Sequence, residues 1–179
     1  LRLLADLREQ QRRERRGLGR LEHDGVARGQ GRGQLPGRHE HREVPGDDLT
    51  GHARLAAASR VPIAVGESLY SPGQFADYLR AGACSIVQVD VARVGGITPW
   101  LKVAHMAEAM NIAVCPHFLM ELHVSLVCAV PNSWMLEYIP QLDGVTTSRL
   151  DVRHGMAYPP SDPGLGIAWD WEAIRAAAV

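Results

Sequence analysis

The chain has few cysteines, and their spacing suggests no cross-link. Cys84, Cys115 and Cys128 are odd in number, scattered and set among apolar residues without a CxxC pair. That suggests neither a disulfide framework nor a zinc site, and favours buried thiols acting as small hydrophobes. Long apolar runs are missing as well. The opening stretch "LRLLADLREQ" is too short and too charged for a signal peptide or a membrane span, so no membrane partner and a cytoplasmic location are expected. Lysine is reduced to Lys102, which falls in a helical pattern. Gly95 and Gly96 read as a turn, because no GxGxxG pattern follows them and phosphate cradling is unsupported.

Other scarcities are local. Residues 1–46 contain no aromatic residue, no isoleucine and no lysine, yet hold 11 of the 18 arginines and eight glycines. A segment of that composition cannot supply a core. The reading is therefore a non-core Arg/Gly-rich segment over 1–45, disordered or translated from a shifted frame of a GC-rich gene, and a folded part over 46–179. Its interspersed acids and lack of stacking aromatics argue against nucleic acid as a partner. From Asp47 onward the chain carries every aromatic residue and nearly all the β-branched ones. The net charge of −1 over 179 residues conceals this contrast.

The folded part alternates short apolar runs with helical patterns, which argues for βα units and a parallel sheet. "LTGHARLAAAS" reads as a helix leading to the strand "VPIAVGE". Ser71 and Pro72 supply an N-cap and an N1 proline for a helix through Phe75, Tyr78 and Leu79 that stops at Gly82. "SIVQVD" is the second strand. Thr98 and Pro99 repeat the cap signal, and Trp100, Val103, Ala104, Ala107 and Met110 share one helix face. "IAVCPH" is the third strand, "MELHVSLVCAV" a short apolar helix and "WMLEYIP" the fourth strand, before a tail with turn chemistry and a terminal helix.

Each strand run carries an ionisable residue at or near its carboxyl end: Glu67, Asp90, His117 and Glu137. Parallel strands bring those ends to one face, which in a (β/α) barrel carries the active site. Taken singly, each has a bland reading. Glu67 is a loop carboxylate facing water, Asp90 a cap for "ARVGG", His117 a satisfied structural histidine and Glu137 a solvated strand end. Arg93 either positions an anion or Asp90, or lies on the surface. His105 and His123 fall on helices, with surface or packing roles and no partner at ligand spacing.

"VPIAVGE", "VQVDVARVGGIT", "PHFLMELHVSL", "AVPNSWMLEYIP" and "PGLGIAWDW", in that order, resemble the C-terminal half of the barrel domain in the mandelate racemase and muconate lactonizing enzyme family of the enolase superfamily, and within it the mandelate racemase-like subgroup. The resemblance implies an α/β fold, a partial TIM-type (β/α) barrel of about strands five to eight. It implies that Glu67 is a ligand of Mg2+, that Asp90 and His117 form the acid–base dyad, and that Glu137 hydrogen-bonds the substrate carboxylate as an enediolate forms. The implied reaction is Mg2+-dependent abstraction of the proton next to a carboxylate in a hydroxy acid or sugar acid, ending in dehydration. Racemisation or epimerisation is the alternative within the class. Such sites combine a Lys or His base with Mg2+ because the dianionic intermediate needs fixed positive charge. A homo-oligomer is expected of the intact parent.

The pattern also has gaps. The family's DxN and EEP carboxylates would fall near Arg15 and His41, where neither motif stands, with Glu40 and Glu43 as shifted candidates for the second. Its KxK pair would precede Leu1. A catalytically inactive fragment is therefore the third expectation, since Mg2+ wants several oxygen ligands. Half a barrel leaves two parallel edges unpaired, so this chain alone is expected to be a poor monomer.

Overall fold

The structure is a computed structural model and describes residues 44–178. The expectations placed on residues 1–43, including a fourth-strand ligand at Glu40 or Glu43, lie outside the described residues. In the remainder, helix α1 (Leu49–Ala58) starts at Asp48, whose side chain accepts the N–H of Gly51. Strand β1 (Ala64–Val65), helix α2 (Pro72–Arg80), strand β2 (Ile86–Val87), helix α3 (Ile97–Glu108), strand β3 (Ala113–Val114) and helix α4 (Met120–Ala129) follow in strict alternation. The three strands form one parallel sheet in the order β1-β2-β3, with Val65 beside Val87 and Val87 beside Val114. These are βα units with the sheet order of a barrel arc, as the partial-barrel reading requires.

The ladder runs past the strand ends toward the carboxyl edge. Gln88 N–H reaches Val65 O at 2.8 Å, Cys115 N–H reaches Val87 O at 2.9 Å, and His117 N–H reaches Val89 O at 3.2 Å. The last bond sets the register that makes Asp90 and His117 neighbours. Gly66 allows a close approach at this edge. Its φ is +155°, and a Cβ there would lie 2.6 Å from the backbone carbon and oxygen of Gln88, so no larger residue fits without displacing the sheet.

Helices α2 and α3 cover one face of the sheet. Phe75, Tyr78 and Leu79 from α2, and Trp100, Val103, Ala104 and Ala107 from α3, are buried with Val65, Val87, Val89 and Val114. Trp100 is fully enclosed; such a side chain removes on the order of 200 Å² from water, worth up to about 5 kcal/mol. The Ser71 cap is as expected, its hydroxyl accepting Gln74 N–H at 3.3 Å. The start of α3 differs. Gly96, at φ +112°, is the N-cap and Ile97 the first helical residue. Gly95 and Gly96 turn the chain there, and Pro99 is tolerated because the first turn has no carbonyl partner for its missing N–H.

The fourth strand is shorter than "WMLEYIP" suggests. It is a single parallel bridge, Val114 to Ser133, flanked by Val114 N–H to Asn132 O at 2.9 Å and Trp134 N–H to Val114 O at 3.0 Å. A ladder on one side only does not keep the following residues regular. Beyond it come a 3-10 turn (Gln141–Gly144), a hairpin of β4 (Asp151–Arg153) and β5 (Met156–Tyr158), and helix α5 (Trp171–Ala177), capped by Asp170. No helix among the described residues is long and apolar enough to cross a membrane.

Candidate active site

Asp90 leaves β2 at a position where only 2% of its surface is exposed. Burial pushes its carboxyl up, but the backbone N–H of Arg93, the His117 side chain, the Ala92 N–H and the His117 charge together outweigh that and hold it below the usual carboxylate range. The bonds are specific. Oδ1 accepts Ala92 N–H at 2.8 Å and Arg93 N–H at 3.1 Å, while Oδ2 faces His117 Nδ1 at 3.0 Å. Oδ1 therefore caps the turn after β2, and Oδ2 pairs with His117.

An ionised carboxylate only accepts, so Nδ1 of His117 carries the hydrogen of that bond. The atom left to gain or lose a proton is Nε2, which lies 3.3 Å from Glu67 Oε2. The ring stacks on Phe118, with centroids 5.2 Å apart. Arg93 joins from β2's outgoing turn: its Nε is 3.8 Å from Asp90 Oδ2, and its Nη1 donates to the Glu67 carbonyl. Arg93 thus lies exposed at the surface and also contacts the Asp90 carboxylate and the Glu67 backbone.

Glu137 reaches this group through the backbone. Its Oε2 accepts Phe118 N–H at 2.7 Å, one residue beyond His117, and its Oε1 makes no hydrogen bond among the described residues. Phe118 and Leu119 adopt φ of +64° and +37°, a left-handed conformation that costs roughly 1–3 kcal/mol per non-glycine residue and persists only where neighbours impose it. The structure thus joins Asp90, His117 and Glu67 directly and ties Glu137 to them by one peptide.

His105 and Lys102 are exposed on α3 and take no part. For His123, helical placement predicts no more than a packing or surface role. It is fully buried, and it hydrogen-bonds the backbones next to Asp90 and His117. The signal in the sequence is a lone imidazole inside the apolar run "MELHVSLVCAV", where a buried polar group demands partners.

A divalent cation is what the resemblance asks of Glu67, and the described residues alone do not fit one. Among them no group of three or more His, Cys, Asp or Glu side chains is placed to hold a metal. Glu67 is 58% exposed at its side chain and its Oε2 faces an imidazole, whereas Mg2+ takes a near-octahedral set of oxygens.

Residues 43–173 match the family described as Enolase C-terminal domain-like. The chain is 38% identical over 128 residues to an L-talarate/galactarate dehydratase of Salmonella typhimurium, covering 72% of this chain and 32% of that protein. It is 34% identical over 134 residues to a 3,6-anhydro-alpha-L-galactonate cycloisomerase of Streptomyces coelicolor, covering 74% and 37%. Among solved structures, an L-talarate dehydratase from Polaromonas sp. JS666 complexed with Mg and L-glucarate aligns at a TM-score of 0.67 and 38% identity, over 73% of this chain and 36% of that one. An enolase from Bradyrhizobium complexed with magnesium and mandelic acid aligns at 0.70 and 35%, over 74% and 37%. The chain thus spans 32% to 37% of the length of these curated relatives. With 43–173 matched to the family and relatives at these identities, the chain belongs to the Enolase C-terminal domain-like family, among the mandelate racemase/muconate lactonizing enzyme-like members of the enolase superfamily.

Proposed function

We propose that this chain carries the acid–base half of an active site that removes the proton next to the carboxylate of a hydroxy acid or sugar acid and then eliminates water. The observation that carries the reading is the His117 imidazole, bound at Nδ1 by a buried carboxylate 3.0 Å away and left with Nε2 as its proton-accepting atom. Asp90 fixes the tautomer and stabilises the imidazolium that forms when Nε2 takes the proton. The C–H electron pair moves into the substrate carboxylate as an enediolate. Expulsion of the β-hydroxyl, with a proton returned from the imidazolium, releases water and an enol that relaxes to a 2-keto-3-deoxy acid. Glu137, with Oε2 accepting from Phe118, has Oε1 left to donate to the substrate carboxylate when that carboxyl is protonated.

The names of the relatives support dehydration: one is an L-talarate/galactarate dehydratase, another a D-galactonate dehydratase. Racemisation needs a second base on the opposite face of the substrate, and His117 is the one imidazole among the described residues with this placement. We assign Mg2+ as the cofactor of the intact parent and Glu67 as one of its ligands; no step above is drawn through it. A second reading, an inert chain that retains the dyad, is favoured by the lack of a three-residue metal group among the described residues. Incubating the full chain with galactarate, L-talarate and D-galactonate, with and without Mg2+, and assaying 2-keto-3-deoxy acid decides between them. Product supports the dehydratase reading, and no product from any acid supports the inert one.

A further inference from the structure

The proton-transfer scheme gives no task to His123, yet among the buried polar side chains of the described residues it is the most enclosed, at 0% exposure. Its Nε2 accepts the N–H of Val91 at 3.1 Å, and its Nδ1 donates to the carbonyl of Phe118 at 2.7 Å. Val91 directly follows Asp90, and Phe118 directly follows His117. One imidazole therefore ties the Asp90–Val91 peptide to the Phe118–Leu119 peptide, one residue beyond His117. Its ring is held in turn against Trp100, 6.0 Å between centroids, so the clamp stands on the core beneath α3.

The two bonds demand opposite roles, acceptor at Nε2 and donor at Nδ1. A neutral imidazole in one tautomer supplies both, and burial keeps His123 below its ordinary titration range. Phe118 is held on its other side too, since its N–H, in the His117–Phe118 peptide, goes to Glu137. A bulky residue at φ +64° followed by another at +37° does not rest there unaided. The bonds to the peptides on either side of Phe118 supply the restraint.

We propose that His123 is a positioning residue that clamps the Val91 N–H to the Phe118 carbonyl, next in chain to Asp90 and His117, and thereby sets the separation of Asp90 from His117. Its purpose rests on the proton-transfer reading; its geometry does not. A side chain present only to fill space would make neither bond and would be replaced by leucine at little cost to the pair.

The test uses the ¹⁵N-labelled full chain, its His123→Leu variant and its His123→Gln variant, whose amide offers one donor and one acceptor. In the wild type, the His123 ring should show the Nδ1–H tautomer; an Nε2–H tautomer overturns the clamp without any variant. In His123→Leu, exchange of the Val91 amide should rise about tenfold or more, and the hydrogen-bonded Nδ1–H resonance of His117 should broaden away. Val103 and Ala107 amides in α3 should keep their protection. Persistence of the His117 resonance and of Val91 protection in that variant overturns the proposal. Should His123→Leu lose its fold, His123→Gln decides: retained Val91 protection and the His117 resonance support the clamp, and their loss in a folded variant overturns it. No substrate enters these measurements, so the clamp and the proposed reaction fail separately.

Discussion

Replacing Asp90 with Asn isolates what the carboxylate does for His117. The amide keeps an oxygen where Oδ1 accepts Ala92 N–H at 2.8 Å and Arg93 N–H at 3.1 Å, so the turn after β2 is retained. The other position becomes an NH2, 3.0 Å from His117 Nδ1 and 3.8 Å from Arg93 Nε. Two donors then face each other at the imidazole. The ring resolves this by moving its proton to Nε2, which is the atom the proposed reaction needs unprotonated. In stability, a charge-assisted bond of about 1.5–3 kcal/mol gives way to a neutral one of about 0.5–1.5. Loss of the buried charge offsets part of that difference, so the net destabilisation is about 1 kcal/mol. Urea unfolding followed by tryptophan fluorescence measures it, and long-range ¹H–¹⁵N correlation of the ring reads the tautomer. The same swap in a serine-protease triad lowers kcat by about 10⁴-fold through the wrong tautomer, and a loss of that order is expected of any exchange or dehydration activity here. An Asp90→Asn variant whose His117 still carries its proton on Nδ1 refutes the reasoning.

The remaining predictions concern pH, the strand edge and metal. His123 titrates below its ordinary 6.5 in the folded state, so its contribution to stability is fully present above that value and is lost as pH falls below it toward the folded pKa. Urea midpoints should fall across that window, and His123→Gln should flatten the fall. Asp90, held below 3.8, adds a second loss that starts near that value and completes as pH drops through its folded pKa. Gly66→Ala should cost about 1–3 kcal/mol, because a Cβ meets Gln88 backbone at 2.6 Å and the sheet must shift; an unchanged urea midpoint would show the edge to be more pliant than this. Ser71→Ala, which removes the Gln74 N–H acceptor, should cost about 1 kcal/mol. Isothermal titration of the full chain with Mg2+ should give at most weak binding, as expected of a single carboxylate ligand; tight stoichiometric binding would place further ligands in this chain.

The parts of the fold legible in the sequence are those with local causes. Ser71 and Pro72 mark the start of α2 because cap and N1 chemistry act within four residues. The apolar face of α3 follows from helical spacing from Trp100 to Ala107, although Met110 falls past the helix end and is exposed. The convergence of Glu67, Asp90 and His117 follows from parallel strands with aligned register, so a pattern of strand-end charges could indicate it. What escaped involves the backbone. Glu137 binds a peptide N–H and His123 binds an N–H and a carbonyl; main-chain partners leave no trace in residue types. The β4–β5 hairpin turns on His154 and Gly155 at φ of +52° and +74°, a left-handed pair usually announced by Asn-Gly or Asp-Gly. The aromatic and apolar content of the fourth strand suggests a regular element, but regularity depends on pairing, and sequence does not report how many neighbours a strand has.

Solvent-deuterium wash-in at the carbon next to the carboxylate, followed by NMR on galactarate in D2O, tests the central claim most directly. The account predicts exchange with the wild-type chain and a loss of roughly 10²–10⁴-fold in His117→Asn, the range a positioned general base contributes. Equal exchange rates in the two proteins would contradict it.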